Sequence, residues 1–167
     1  CVVLSNRPAV RQAQEASAWF RTAVYWDRRA MGVELEYVAV LLQRRFNVMQ
    51  EMKRLTSELK EAASRNDKVS LTLILQMRAD EMAKAEACQE EIWLMAESGP
   101  EEAKEVRRLM SHDFIEGGPP EVAMEQKIYE IRRKTASVLN DIREADQYLN
   151  RNVGGKRSYY STNRIQG

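Results

Sequence analysis

Residues 124–149, MEQKIYEIRRKTASVLNDIREADQYL, carry the pattern that decides the fold. Apolar side chains recur there at alternating intervals of four and three residues, which is the heptad repeat of a helix packed lengthwise against another helix. The seam consists of Met124, Ile128, Ile131, Thr135, Val138, Ile142, Ala145 and Leu149. We therefore predict a helix at about residues 120–150, unbroken from Met124 to Leu149, with this seam buried.

Two more helical segments lie upstream, at about residues 33–64 and 69–97. The polar link at residues 64–67 is so short that the second helix has to return along the first as an antiparallel hairpin. The first seam is Val38, Leu41, Arg45, Val48, Met52, Leu55, Leu59 and Ala62, widened by Leu42, Phe46 and Met49. The second is Leu71, Leu75, Arg78, Met82, Ala85, Gln89, Ile92 and Ala96, with Ile74, Cys88 and Trp93 alongside. The width of the first seam predicts more than one neighbouring helix.

Two arginines, Arg45 and Arg78, interrupt these apolar seams. In one interpretation their aliphatic stems lie along the core and their charged ends reach solvent. In the other, each guanidinium is buried and paired with a carboxylate that fixes the register or the choice of partner. The sequence leaves both interpretations open.

Proline and glycine residues mark the remaining boundaries. Pro8 follows small polar residues and opens a helix at about residues 8–31. A Gly-Pro pair at residues 99–100 separates the second seam helix from a short helix at about residues 100–114, and the sequence GGPP at residues 117–120 makes a loop.

Composition agrees with a helical protein, because 31% of the residues are charged and only 7% are aromatic. We predict an all-α fold of long antiparallel helices, a helical hairpin or bundle with coiled-coil-like packing. Residues 1–150 are expected to form one domain, and residues 151–167 an extended basic C-terminal tail.

The chain holds a single histidine, His112, and no set of residues typical of an active site. A di-iron bundle, for example, needs a Glu-x-x-His motif from each of two helices. We expect His112 to lie at the surface or to interact with the C-terminal dipole of the short helix. The expectation is a protein without enzymatic activity, catalytic residues, metal or cofactor.

Aromatic and basic residues concentrate in the first predicted helix, where Trp19 and Trp26 lie near Arg28 and Arg29. Three interpretations are open: core packing, a protein interface, for which Trp and Arg are favoured, and stacking of single-stranded nucleic acid on aromatic rings beside cations. We favour protein over nucleic acid as the partner, since the net charge of the chain is only +1.

The tail is a second candidate for partner binding. It holds four cations and no acid, and Lys156, Arg157, Tyr159 and Tyr160 are its candidate contact residues. An acidic surface is the natural complement, either on another chain or on the Glu-rich stretch at residues 80–105 of this one. We predict that the tail binds such a surface as an extended segment.

The longest apolar runs, residues 37–42 and 71–75, are far shorter than the roughly 20 residues of a membrane-spanning helix. We expect a soluble chain, or one held at a membrane through an anchor or a partner, and the compartment is left open. A mature bacterial lipoprotein begins with an acylated cysteine, so Cys1 is a candidate lipidation site.

The stretch LLQRRFNVMQEMKRLTSELKEAASRNDKVSLTLILQMRADEMAKAEACQEEIWLMAESG, residues 41–99, resembles the helical hairpin of flagellar export chaperones of the FlgN type. In that family a polar turn containing Asn-Asp, here Asn66 and Asp67, separates two long amphipathic helices. The resemblance implies a chaperone that holds a helix of its client.

Three functions follow from these observations. The first is a non-enzymatic helical subunit or adaptor that binds other protein chains through helical or acidic surfaces, as a structural part of a larger assembly. The alternatives are an export chaperone and a lipid-anchored helical lipoprotein.

Overall fold

The computed structural model describes residues 33–153, and every regular element in that range is helical. Helix α1 spans Leu35–Ser64 and α2 spans Lys68–Met95. A 3-10 turn at Ala96–Ser98 leads to three further helices, α3 (Pro100–Met110), α4 (Asp113–Glu116) and α5 (Ala123–Val153). The predicted all-α class is confirmed for the described residues, whose five helices pack against one another.

Helix α1 is the central element, because it packs against α2 on one side and against α5 on another. Between described residues, α2 and α5 have no comparable packing. The wide stripe predicted for α1 agrees with this position between two neighbours. Its buried side chains are Val38, Ala39, Leu41, Leu42, Met49, Met52, Leu55, Thr56, Leu59 and Ala62.

Two local features stabilise the turn between α1 and α2. Asn66 adopts a positive φ of 54°, the left-handed conformation that Asn tolerates better than most residues. Asp67 then caps α2, because its Oδ1 accepts a hydrogen bond of 3.0 Å from the backbone N–H of Ser70. Bonds from the hydroxyl and the backbone of Ser70 lower the pKa of the Asp67 carboxyl.

Contacts between the long helices follow a definite order. Leu59 near the end of α1 shares a buried cluster with Leu71 near the start of α2, whereas Tyr37 at the start of α1 donates a 2.6 Å hydrogen bond to Glu91 late in α2. Residues of α1 and α5 pair in the same chain order, Lys53 with Asp141 at 2.7 Å and Lys60 with the ring of Tyr148 at 4.7 Å. The cluster near the α1–α2 turn consists of Leu55, Leu59, Ala62, Leu71, Ile74 and Leu149.

Helix α5 is unbroken across its heptad seam, as predicted. Five of the eight seam side chains are buried and the other three, Met124, Val138 and Ala145, are half-buried. The polar member, Thr135, is buried because its hydroxyl donates to the carbonyl of Ile131 at 2.8 Å. The described part of this helix extends to Val153, so residues 151–153, which the sequence had assigned to the extended tail, are helical.

The predicted short helix at residues 100–114 is wrong in its extent, since α3 ends at Met110 and α4 is a separate turn. Arg132 of α5 accounts for the end of α3 at Met110. Its guanidinium donates hydrogen bonds to the carbonyls of Leu109, Met110 and Ser111, groups at the end of a helix that need partners. The second seam helix also ends earlier than predicted, at Met95, because residues 96–98 form a 3-10 turn.

Candidate helix-binding groove

The residues selected from the sequence as partner contacts lie outside the described part of the chain. They are Trp19, Trp26, Arg28, Arg29, Lys156, Arg157, Tyr159 and Tyr160. The candidate lipidation site Cys1 and the predicted helix at residues 8–31 lie outside it as well. These predictions stay predictions, and the site described below comes from other residues.

An open groove with a volume of about 690 Å³ runs along α2 and the adjacent face of α1. No residue of α5 lines it. The lining comprises Arg45 and Met49 of α1, Met82, Ala85, Glu86, Gln89, Glu90, Trp93 and Leu94 of α2, and Glu97 of the 3-10 turn. The groove therefore occupies the half of α2 that lies farther from the α1–α2 turn.

Large apolar side chains are exposed in this groove. Met82 is 50% exposed, Trp93 38% and Leu94 58%, although the sequence had placed Met82 on the buried seam. That placement is wrong because α1 packs against this half of α2 and buries Ala85 and Ile92, but leaves Met82 half exposed. Met49 and Ala85, which are buried, complete the apolar floor.

One rim of the groove is acidic. Glu86, Glu90 and Glu97 are all exposed, and they follow one another at intervals of four and seven residues. Residues four and seven apart lie on one side of a helix, so the three carboxylates form a row, and Met82 and Leu94, each four residues from one of them, lie on the same side. The α-helical rise of 1.5 Å per residue puts about 6 Å between Glu86 and Glu90. Glu97 lies in the 3-10 turn, whose larger rise puts it about 11 Å beyond Glu90.

Arg45 lies on the opposite wall. Its Nε is buried without a hydrogen-bond partner, and no carboxylate among residues 33–153 pairs with the guanidinium. Burial lowers the pKa of Arg45 below its ordinary value. Burial likewise lowers the pKa of Arg132, and the positive charge of Arg45 lowers it further. Arg45 on this wall is therefore close to a second cation, Arg132 of α5, which does not itself line the groove.

Arg78, the other arginine of the seams, is buried and paired. Its Nη1 and Nη2 donate to the two carboxylate oxygens of Asp146 in α5, at 2.9 and 2.8 Å. Only 8% of the residue is exposed. Of the two interpretations left open by the sequence, carboxylate pairing is the observed one at Arg78, and it links α2 to α5.

A second exposed apolar stripe lies on α2, formed by Val69, Leu73 and Met77 at intervals of four residues. This spacing was visible in the sequence, but the seam assigned to α2 used other positions. None of these three side chains lines the groove. Leu73, at 60% exposed, is nevertheless a close match for Leu94.

Three other features of the described residues concern a metal site, the surroundings of His112 and a membrane-spanning helix. No cluster of three or more His, Cys, Asp or Glu side chains there is arranged to hold a metal ion. His112 is exposed, as one expectation had it, with Nε2 lying 3.0 Å from Oε1 of Glu116. Among the helices at residues 33–153, none has the combination of length and apolar character needed to cross a membrane.

Comparison of the chain with protein-family models, with curated proteins and with solved structures finds no match.

Proposed function

We propose that this protein is a non-enzymatic helical interaction subunit or adaptor, and that it binds a helix of another protein chain in the groove along α2. The observation that carries the proposal is the exposure of Met82, Trp93 and Leu94 on one concave surface. Trp is the side chain most enriched at binding hot spots, and Met adapts its shape to different partners.

The magnitude of the apolar contribution favours a helix over a small ligand. Complete burial of a large apolar side chain gains roughly 1.5–3 kcal/mol, and these three are already about half covered, so the gain is about 3 kcal/mol in all. Association costs at least about 4 kcal/mol in lost freedom. An occupant must therefore make further contacts along the groove, as the side of a helix would.

The order of contacts between the helices supports the same function. Because α1 and α2 pair in opposite chain order and α1 and α5 in the same order, we infer an antiparallel α1–α2 hairpin with α5 running alongside α1. Packing of the coiled-coil type would bury the seams between these helices. It would leave one side of the hairpin uncovered along the part of α2 that follows Arg78. A helix from a partner would fill that side as a further member of the bundle.

An export chaperone that holds a client helix is the alternative, and the hairpin with its Asn66-Asp67 turn favours it. The two functions differ in what accompanies the protein in solution. A mass measurement on the isolated chain should give a soluble monomer for a chaperone between clients, whereas a structural subunit should be insoluble or associated without its partners. Acylation of Cys1, in the lipoprotein alternative, stays a separate prediction.

A binding titration with a defined helix tests the proposed function. The probe is a synthetic amphipathic peptide of about 18 residues, long enough to cover the groove, with Leu on its seam and Lys and Glu mixed on its flanks. We expect Leu94→Asp to weaken its binding at least about tenfold, because the substitution replaces an exposed apolar side chain of the groove with a charge.

The matched control is Leu73→Asp, the same substitution at a leucine of similar exposure on the same helix. This control should bind the peptide as the unmodified chain does, and both variants should keep the helical circular dichroism spectrum. Equal affinities for the two variants, or equal binding of a peptide whose seam leucines are serines, would remove the groove as the binding site.

A further inference from the structure

We infer that the partner helix of the groove is basic on the flank that meets Glu86, Glu90 and Glu97, and carries no cation on the flank that meets Arg45. This inference rests on the proposed function and adds the chemistry of the partner. Its basis is the unequal charge of the two walls, acidic along α2 and cationic on α1.

The spacing of the acidic row specifies the partner in more detail. A helix lying along α2 has the same rise per residue, so its cations have to follow at matching intervals of about four and seven residues. Lys or Arg at those positions would lie opposite all three carboxylates while the apolar stripe of the same helix covers Met82 and Trp93. Leu94, four residues after Glu90 and three before Glu97, adds an apolar contact within the acidic row.

Arg45 discriminates against partner helices that carry a cation on the flank facing it. A cation brought to that wall would meet a guanidinium whose Nε is already buried without a partner and which lies close to Arg132. Like charges placed together at an interface exclude the wrong partner more strongly than exposed opposite charges attract the right one. An acid on that flank would instead lie opposite the positive charge of Arg45.

The size of the expected effect follows from exposed ion pairs, each of which changes an affinity by at most about fivefold. Three pairs acting together should change it by about tenfold, and the effect should shrink at high salt because exposed charges are screened. The apolar contacts give affinity, and the charged row selects among helices that share the same apolar stripe.

The experiment compares two synthetic peptides with identical Leu seams, one with Lys and one with Glu on the flank that faces the rim, on the full chain by calorimetric titration. We expect the Lys peptide to bind about tenfold more tightly. The triple variant Glu86→Lys, Glu90→Lys, Glu97→Lys should reverse this preference. A control triple variant with the same charge change at exposed acids elsewhere, Glu121→Lys, Glu130→Lys, Glu144→Lys, should keep it.

Each outcome decides between the two proposals. If both peptides bind but the Glu peptide binds as well or better, the inferred partner chemistry is wrong and the helix-binding function stands. If neither peptide binds, the proposed function fails as well. If the Lys peptide binds equally to both triple variants, or if the control variant loses the preference too, the acidic row is not the selecting element and the inference is wrong.

Discussion

The two halves of α2 face different surroundings although both carry large apolar side chains. Near the α1–α2 turn, Leu71 and Ile74 are buried against α1 and against Leu149 of α5. Beyond Arg78, the helix keeps contact with α1 but exposes Met82, Trp93 and Leu94 in the groove. We refer to the first half as the closed end and to the second as the open end.

The comparison teaches that burial on α2 is decided by the neighbouring helices and not by its own residues. The closed end has apolar side chains from three helices in one cluster, which is where folding free energy is gained. The open end has apolar side chains in excess of what its neighbours cover. A surplus of this kind is a common mark of a binding surface.

The largest effect should come from removing a side chain at the closed end. Leu59 is 4% exposed within the buried cluster, so Leu59→Ala should lower the free energy of unfolding by about 2–5 kcal/mol in a urea titration. Leu94→Ala at the open end should change it by less than about 0.5 kcal/mol. Similar losses for both variants would mean that the open end is as tightly packed as the closed end.

The pair that joins α2 to α5 should give an intermediate effect. Arg78→Ala leaves the carboxylate of Asp146, whose side chain is 28% exposed, without its bidentate partner. We expect a loss of about 1–3 kcal/mol, less than for a completely buried pair because Asp146 keeps some hydration. Arg78→Met combined with Asp146→Leu should recover most of the loss.

A double-mutant cycle separates this pair from the other contacts of Arg78. If the effects of Arg78→Ala and Asp146→Ala are additive within about 0.3 kcal/mol, the pair does not lock the two helices together. Apolar packing alone would then determine where on α2 the closed end gives way to the open end.

Most of the described helices and turns follow from patterns of neighbouring residues, so they could be predicted from the sequence. The heptad of α5, the polar turn at residues 64–67 and the Gly-Pro boundary at 99–100 were each predicted from neighbouring residues. The end of α3 could not be predicted in this way. It depends on Arg132, more than 20 residues later in the chain, binding the last carbonyls of the helix.

The groove was missed for a related reason. A heptad pattern tells which side chains share a face, but it does not tell whether a neighbour covers that face along its full length. Met82 and Ile92 both fit the seam of α2, yet the first is half exposed and the second is completely buried. Only the positions of the other helices distinguish them.

The smallest effect should be a pH-dependent one at the α3–α5 connection. Arg108 of α3 donates to both carboxylate oxygens of Glu105, at 2.9 and 2.7 Å, and to Glu125 of α5 at 2.6 Å. These bonds hold the pKa of Glu105 below its ordinary value of 4.5. The interaction therefore stabilises the folded state above about pH 4.5, the pKa of an unfolded glutamate, and is lost as the pH falls through the lower folded pKa.

Because both side chains are substantially exposed, we expect only a few tenths of a kcal/mol from this interaction. Glu105→Gln should lower the free energy of unfolding at pH 7, and the difference from the unmodified chain should shrink as the pH falls below about 4.5. The same substitution made in an Arg108→Gln background should have no pH-dependent effect, since the donor is gone. A difference that grows toward low pH, or that persists without Arg108, would show that Glu105 acts through some other contact. The expected small and salt-sensitive result would mean that exposed charges add little to the stability of α3, whereas buried leucines dominate the closed end.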